Sequence, residues 1–175
     1  MRWINVNEKY LNYLRNYEPR IPYSDYGANK YKPFFGILFE TNDLYYITQI
    51  SHAQPRHEKM KQQKDFYKIY DSNIKTRLLA VINLNYMFPI PKTEVSLFIK
   101  KEIDKYRIFR TKEEKSKYIN LLDTELRAIN KLPLEEAAQS IYQLKYLYPT
   151  NKISMRCLDF KELEKYAHCY IKLSP

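Results

Sequence analysis

Glycine is scarce in this chain, which has two glycines, Gly27 and Gly36, among its 175 residues. The phosphate-binding loops of P-loop and Rossmann enzymes need several closely spaced glycines, so both enzyme classes are excluded. The two cysteines, Cys157 and Cys169, are too few for a disulfide framework and lack the spacing of a metal site. We therefore expect a cytoplasmic protein that uses no metal and no other cofactor.

Long hydrophobic runs are absent as well. The longest, at residues 34–39 and 78–82, are far shorter than the roughly 20 apolar residues of a membrane-spanning helix. The N-terminus turns polar before a signal-peptide core develops, so membrane insertion and secretion are not expected. Since 45% of the residues are hydrophobic and 29% are charged, we predict a single compact domain over residues 1–175.

Positive charge and tyrosine are what the chain has in excess. Thirty Lys and Arg residues against 20 Asp and Glu give a net charge of +10, and there are 18 tyrosines. A strongly basic domain attracts polyanions, and tyrosine rings stack on unpaired bases. A single tyrosine more often packs on a half-buried surface. The whole set, together with the charge, nevertheless favours a nucleic-acid partner.

The spacing of apolar residues predicts strands before Pro91 and helices from Thr93 onward, which indicates an α+β fold with an antiparallel sheet. The predicted strands cover residues 34–39, 44–50, 65–70 and 77–83, and the first two form a hairpin. The predicted helices begin after the N-cap Asn7, at Thr111, near Pro133 and, as a short last helix, at Asp159. An exposed loop is predicted over residues 23–32.

Residues 51–64 concentrate side chains that can carry chemistry. Ser51 and His52 stand at the end of a predicted strand, and a strand end is a rigid place from which to present reactive groups. The segment contains no HExxH motif and no paired carboxylates, so metal catalysis is poorly supported. A serine hydrolase would need a nucleophile elbow, which is missing. A solvated basic loop is the alternative interpretation.

Several stretches resemble, in order, those of a known family. The most specific is Ile82-Asn83-Leu84-Asn85-Tyr86-Met87-Phe88-Pro89-Ile90, within residues 79–90. The others are residues 9–14 (KYLNYL), 32–38 (KPFFGIL), 51–60 (SHAQPRHEKM), 118–122 (YINLL) and 157–160 (CLDF). Together they resemble the ToxN/AbiQ endoribonuclease toxins of type III toxin–antitoxin systems, over essentially the whole chain.

The resemblance implies a strongly twisted antiparallel sheet flanked by helices, and an enzyme that cuts RNA without metal. It also implies a partner, a repeated pseudoknot RNA that inhibits the toxin and that the toxin trims from a precursor. The implied assembly is a closed protein–RNA hetero-oligomer. Cellular or phage RNA is the implied substrate, and phage defence by abortive infection is the implied role.

One departure from the family falls on its catalytic strand end. The family has Ser/Thr-Ser-Pro-Lys there, and this chain has Ser51-His52-Ala53-Gln54. The hydroxyl of Ser51 is retained, whereas His52 replaces a hydroxyl and Gln54 replaces the lysine. Part of the family's site is therefore present, without its main cation.

The resemblance matches the family's upstream basic position, before Pro-x-x-Gly, with Lys32 and its loop tyrosine with Tyr26 or Tyr31. Metal-free RNA cleavage needs a base for the 2′-OH proton, cations for the phosphorane and an acid for the leaving 5′-oxygen. An imidazole serves either proton-transfer role at neutral pH, and Lys32 or Arg56 can supply the missing positive charge. The candidate catalytic residues are Ser51, His52, Lys32 and Tyr26.

A wider set of residues is assigned to RNA binding. Its members are Tyr31, Gln54, Arg56, His57, Lys59, Lys61, Lys64, Lys100, Lys101, Lys105 and Arg107. The leading hypothesis is a metal-independent endoribonuclease toxin that yields a 2′,3′-cyclic phosphate and a 5′-hydroxyl. The alternative is a non-catalytic RNA-binding module that assembles with a structured RNA. A DNA-binding regulator is disfavoured because the sequence shows no compact helix-turn-helix.

Overall fold

Antiparallel pairing joins the strands of this protein into two sheets. The structure is a computed structural model, and it describes residues 1–27 and 31–173. The strands are β1 (Arg2–Val6), β2 (Phe34–Glu40), β3 (Leu44–Thr48), β4 (Ile50–His52), β5 (Phe66–Tyr70), β6 (Leu78–Asn83), β7 (Phe88–Pro91) and β8 (Val95–Leu97). The order is β7-β3-β2-β1-β8 in the larger sheet and β4-β6-β5 in the smaller one.

Helices flank both sheets. They are α1 (Glu8–Arg15), α2 (Pro55–Lys59), α3 (Lys112–Ile129), α4 (Leu134–Leu147), α5 (Lys152–Arg156) and α6 (Phe160–Leu173). The helix α4 packs on β2, α6 packs on β7, and α3 packs on β5. This arrangement confirms the predicted α+β fold of antiparallel strands flanked by helices. Within the described ranges, no helix combines the length and the apolar character needed to cross a membrane.

Capping side chains begin three of the helices as the sequence predicts. The Asn7 side chain accepts a hydrogen bond from a first-turn N–H of α1 at 3.0 Å, and Thr111 accepts one in α3 at 3.1 Å. Asp159 accepts one in α6 at 3.1 Å, although α6 has 14 residues and is not short. Each such bond satisfies an N–H that has no partner within the helix, which stabilises the helix by about 1 kcal/mol.

Two strands depart from the sequence prediction. The helical structure predicted from Thr93 onward is wrong at β8, because β8 pairs with β1 and places Leu97 opposite Ile4. The next α-helix begins at Lys112. Both β1 and β8 are short and are held by pairing with residues distant in the sequence, which the local apolar spacing does not record.

The chain passes from one sheet to the other at Gln49. The strand predicted over residues 44–50 is therefore divided into β3 and β4, with Gln49 between them. The Gln49 side-chain amide donates hydrogen bonds to the backbone carbonyls of Tyr23 at 2.9 Å and Lys32 at 3.1 Å. These bonds anchor the loop that precedes β2 beside the start of β4.

Candidate active site

Strand β4 presents Ser51 and His52 at the exposed end of the smaller sheet. Ser51 lies opposite Val81 of β6, and His52 lies opposite Ala80. Because successive side chains in a strand point to opposite faces, the serine and the histidine belong to two different recesses. Both side chains are exposed to solvent.

Ser51 opens into a groove of about 280 Å³. The groove is lined by Arg20, Pro22, Tyr26, Thr48, Gln49, Ser51, Arg56, Asn83 and Tyr86. Ser51, Tyr26 and Arg56 were assigned functions from the sequence, and all three line this groove. The groove thus combines a hydroxyl, a phenol and two guanidinium groups, which are donors suited to a phosphate.

His52 lines a second recess, a cavity of about 20 Å³ beneath the strand. Its walls are formed by Trp3, Lys32, Pro33, Ile50, His52, Tyr118, Leu121, Leu122 and Glu125. Helix α3 is held over this cavity because the Trp3 indole N–H donates a hydrogen bond to the Leu122 carbonyl at 3.0 Å. Lys32 and His52, both candidate catalytic residues, therefore share one small space with a buried glutamate.

Lys32 connects the two recesses. It lines the cavity of His52, and its ammonium nitrogen lies 5.1 Å from the centre of the Tyr26 ring, within cation–π range. The Tyr26 hydroxyl donates a hydrogen bond to the Gln49 side-chain oxygen at 2.8 Å. Gly27 follows Tyr26 with φ of 71°, a left-handed conformation that favours glycine. The sequence analysis did not identify Gln49 as a residue of the site. Its position as a polar residue between two apolar strand segments was the available signal.

The charges around His52 favour a neutral imidazole. Partial desolvation lowers the pKa of His52 below its usual value, and the positive charges of Lys32 and Arg107 lower it further. Arg107 was assigned to RNA binding, but its guanidinium acts on His52 and lies 4.4 Å from the centre of the Tyr118 ring. At neutral pH the imidazole is therefore ready to accept a proton, so the structure favours the base role over the acid role.

Tyr31, which was assigned to RNA binding, is an interior residue. Its side chain is buried, its hydroxyl donates a hydrogen bond to Asn5, and its ring stacks on Tyr106 with centroids 5.0 Å apart. The exposed loop predicted over residues 23–32 is wrong at Tyr31, and residues 28–30 of that loop lie outside the described residues. Of the two loop tyrosines considered, Tyr26 is the one that reaches the site.

His57, which was also assigned to RNA binding, is an interior residue as well. Its ring is buried, and its Nδ1 accepts a hydrogen bond from the Gln54 backbone N–H at 3.1 Å. Burial lowers the pKa of His57. Gln54 precedes Pro55 as the N-cap of α2, a helix that the sequence analysis took for a loop. Both residues shape α2, which leaves the exposed Gln54 side chain beside Arg56 at the surface.

The remaining basic residues fall into two groups. Lys59, Lys61 and Lys64 are exposed and have no ion pair among the residues that the structure describes. The second group consists of Lys100, Lys101, Lys105 and Arg107. Three of these cations are paired with acids, and Lys101 is exposed. The pairs are Lys100–Asp123, Lys105–Glu102 and Arg107–Glu114, with N–O distances of 2.6, 2.8 and 3.4 Å. The first group therefore carries the less compensated charge.

In the ranges 1–27 and 31–173, no three His, Cys, Asp or Glu side chains converge as a metal-binding group does. The antiparallel sheets with flanking helices define a small basic α+β protein, in which Ser51 and His52 stand at the end of β4 and Lys32 lies beside His52. A sequence model described as toxin ToxN of the type III toxin–antitoxin system matches residues 2–168. The chain belongs to this ToxN toxin family.

Two curated relatives are similar in sequence over part of their length. Endoribonuclease ToxN of Pectobacterium atrosepticum is 28% identical over 99 residues, which are 55% of this chain and 58% of that protein. Endoribonuclease AbiQ of Lactococcus lactis subsp. lactis is 27% identical over 104 residues, 54% of each protein. The chain thus spans little more than half the length of the curated relatives it matches.

Solved structures share the fold over nearly the whole chain. AbiQ, a lactococcal anti-phage endoribonuclease of a type III toxin–antitoxin system, superposes with a TM-score of 0.78 at 19% identity, covering 98% of both chains. A structure from a bacterial antiviral system regulated by a processed non-coding RNA gives 0.76 at 22% identity, covering 96% and 98%. At these identities the likeness concerns the fold.

Proposed function

We propose that this chain is an endoribonuclease that cleaves RNA by attack of a ribose 2′-hydroxyl on the adjacent phosphate, without a metal ion. The observation that carries the proposal is the placement of His52 and Lys32 around one cavity at an exposed strand end that also bears Ser51. An imidazole that is neutral at pH 7 is suited to remove the 2′-hydroxyl proton. Cations fixed beside it stabilise the charge that develops on the phosphorane.

Each candidate residue receives a role in this mechanism. His52 takes the proton of the 2′-hydroxyl while the 2′-oxygen bonds to phosphorus, and the bond from phosphorus to the 5′-oxygen breaks. Lys32 stabilises the non-bridging oxygens, and Ser51, on the other face of β4, donates a hydrogen bond to the RNA backbone. Burial raises the pKa of Tyr26, so its hydroxyl keeps its proton at pH 7 and can protonate the leaving 5′-oxygen. The products are a 2′,3′-cyclic phosphate and a 5′-hydroxyl.

We expect cleavage to continue at an unchanged rate in EDTA and to give cyclic-phosphate ends. Mass spectrometry of a cleaved oligonucleotide measures the product masses directly, and an oligonucleotide with 2′-deoxyribose at the cut position serves as the uncut control. Products with a 5′-phosphate, or loss of cleavage in EDTA, would contradict the mechanism. RNA binding without any cleavage would favour the non-catalytic RNA-binding module instead.

The proposed regulator is a structured RNA antitoxin. One structural relative is described with selective toxin inhibition by a non-coding RNA pseudoknot; it has a TM-score of 0.76 at 18% identity and covers 98% of both chains. The net charge of +10 supports an RNA partner for this chain as well. We propose that a repeated pseudoknot RNA inhibits this toxin, that the toxin trims it from a precursor, and that the two form a closed hetero-oligomer. Cellular or phage RNA is the proposed substrate.

Binding of such an RNA is expected to weaken steeply as salt rises. Each phosphate contact contributes on the order of 0.7–0.9 to the log–log slope of affinity against salt. Replacing Lys59, Lys61 and Lys64 together with glutamine should therefore lower the slope by about two. The comparison variant replaces Lys100 and Lys105, whose charges are offset by acids, and should lose less per lysine. Fluorescence-anisotropy titrations between 50 and 300 mM salt, roughly the range over which such slopes are resolved, measure both. A wild-type slope below about two, or equal losses per lysine, would contradict this assignment.

A further inference from the structure

Helix α3 places a carboxyl group in the interior. Glu125 is 1% exposed and lies on the same helix face as the buried Leu122 and Ile129. One of its carboxyl oxygens, Oε1, has no hydrogen-bond partner among the described residues. A buried polar group without a partner destabilises the folded state. An amphipathic helix normally has an apolar residue at such a position, so packing does not explain why Glu125 is there.

The surroundings of Glu125 are those of the candidate active site. Glu125 lines the cavity of about 20 Å³, which Lys32 lines from the loop before β2 and His52 lines from β4. Tyr118 faces the same cavity from α3, and Arg107 acts on both Tyr118 and His52. Lys32, His52 and Tyr118 are the titratable groups that line the cavity together with Glu125. Lys32 and Arg107 are the cations that act on His52, His52 becomes cationic when it is protonated, and Glu125 is the acid in this cavity.

Protonation of the two central groups is shifted in opposite directions. Burial raises the pKa of Glu125 to about 8, against the lowering effect of the Lys32 charge. Desolvation and two positive neighbours lower the pKa of His52. At pH 7 the imidazole and most of the carboxyl groups are therefore neutral. When His52 accepts the substrate proton, the new imidazolium faces the like charges of Lys32 and Arg107, and an ionised carboxylate in the same cavity would offset them.

We propose that Glu125 is a positioning residue that acts through His52 and Lys32, supplying the negative charge that stabilises the imidazolium formed during RNA cleavage. The inference rests on the proposed ribonuclease function. The proton balance is simple: His52 holds the proton taken from the 2′-hydroxyl, and Glu125 has already released its own proton to solvent. Molecules in which Glu125 is ionised then cleave RNA faster than the others, and the fraction of such molecules grows as pH rises through the pKa of the carboxyl group.

The first test compares the pH dependence of kcat and KM for cleavage of one oligonucleotide by the wild type and Glu125→Gln. We expect the wild-type kcat to rise a second time near pH 8, and Glu125→Gln to lack this rise and to be about tenfold slower at pH 9, with KM nearly unchanged. Glu136→Gln, the same chemical change at an exposed position of α4, should keep the wild-type profile. A Glu125→Gln enzyme with the wild-type profile would overturn the proposal.

The second test uses stability and needs no activity. The folded-state pKa of Glu125 lies above the unfolded value of about 4.3, so the folded state binds more protons, and its stabilisation is lost as pH rises toward 8. Glu125→Gln should therefore raise Tm relative to wild type by several degrees more at pH 8.5 than at pH 5, on the order expected for a buried group. Glu125→Met provides the same comparison if the glutamine variant does not fold.

The two tests separate the two proposals. A Tm difference that is the same at both pH values would show that Glu125 does not titrate in this window, and would overturn the inference. A wild-type protein that cleaves no RNA would overturn the proposed function, while the pH dependence of Tm would still report on Glu125. Cleavage by the wild type together with an unchanged Glu125→Gln profile would reject the inference and leave the proposed function standing.

Discussion

Replacing His52 with alanine is expected to lower the rate of RNA cleavage by about 10²–10⁴-fold, the usual contribution of a general base. RNA affinity should change little, because the imidazole is neutral at pH 7 and adds no charge to the surface. The side chain is exposed, so its removal should not unfold the protein. Single-turnover cleavage, a binding titration and a thermal melt on the same preparation measure the three quantities.

The pH–rate profile sharpens this expectation. Desolvation and the charges of Lys32 and Arg107 lower the pKa of His52. The pH at which half of the activity is lost on acidification should therefore lie below about 6.5, the ordinary histidine value. His168→Ala removes an exposed histidine of α6 and is the matched control. A folded His52→Ala protein that binds RNA and cuts at the wild-type rate would refute the role of His52. Lys32, Arg56 and Tyr26 would then be the residues to test.

Replacing Lys32 with glutamine is expected to lower the cleavage rate by about 10²–10³-fold, the range for removing one group that stabilises developing negative charge. RNA binding should weaken as well, but much less, because the cation contacts the phosphate in both the ground state and the transition state. The loop should keep its place, since Gln49 holds it through the Lys32 backbone carbonyl and not the side chain.

Two further variants isolate the role of the Lys32 charge. Lys32→Arg keeps the positive charge and should recover part of the lost rate, whereas Lys131→Gln removes an exposed lysine after α3 and should have no effect on cleavage. Equal losses in kcat and in affinity for Lys32→Gln would mean that the lysine only binds RNA. In that case Arg107, the other cation that acts on His52, would become the candidate for charge stabilisation.

The parts of the fold that follow from neighbouring residues were predictable from the sequence. Asn7 and Thr111 mark helix starts because their side chains cap the adjacent turn, and the β2–β3 hairpin follows from two apolar runs around a short polar turn. Strands β1 and β8 were missed because each is fixed by a partner far away in the chain. Local spacing carries no information about that pairing.

The candidate site, like the fold, was predictable only in part. Ser51, His52 and Lys32 were assigned from residue type and family resemblance, and the structure brings them to one strand end. Whether Tyr26 or Tyr31 reaches the site depends on burial, which the loop sequence does not reveal. Glu125 was overlooked, since a glutamate in a charged helix is normally solvated. Its position in the apolar stripe with Leu122 was the available signal.

The one-residue junction at Gln49 makes this strand end sensitive to chain length. Because neighbouring side chains in a strand occupy opposite faces, inserting or deleting one residue before β4 would exchange the recesses of Ser51 and His52 without altering a single side chain. The imidazole would leave Lys32 and Glu125, and the hydroxyl would take its place. The geometry of this site therefore depends on the number of residues between β3 and β4 as much as on which residues they are.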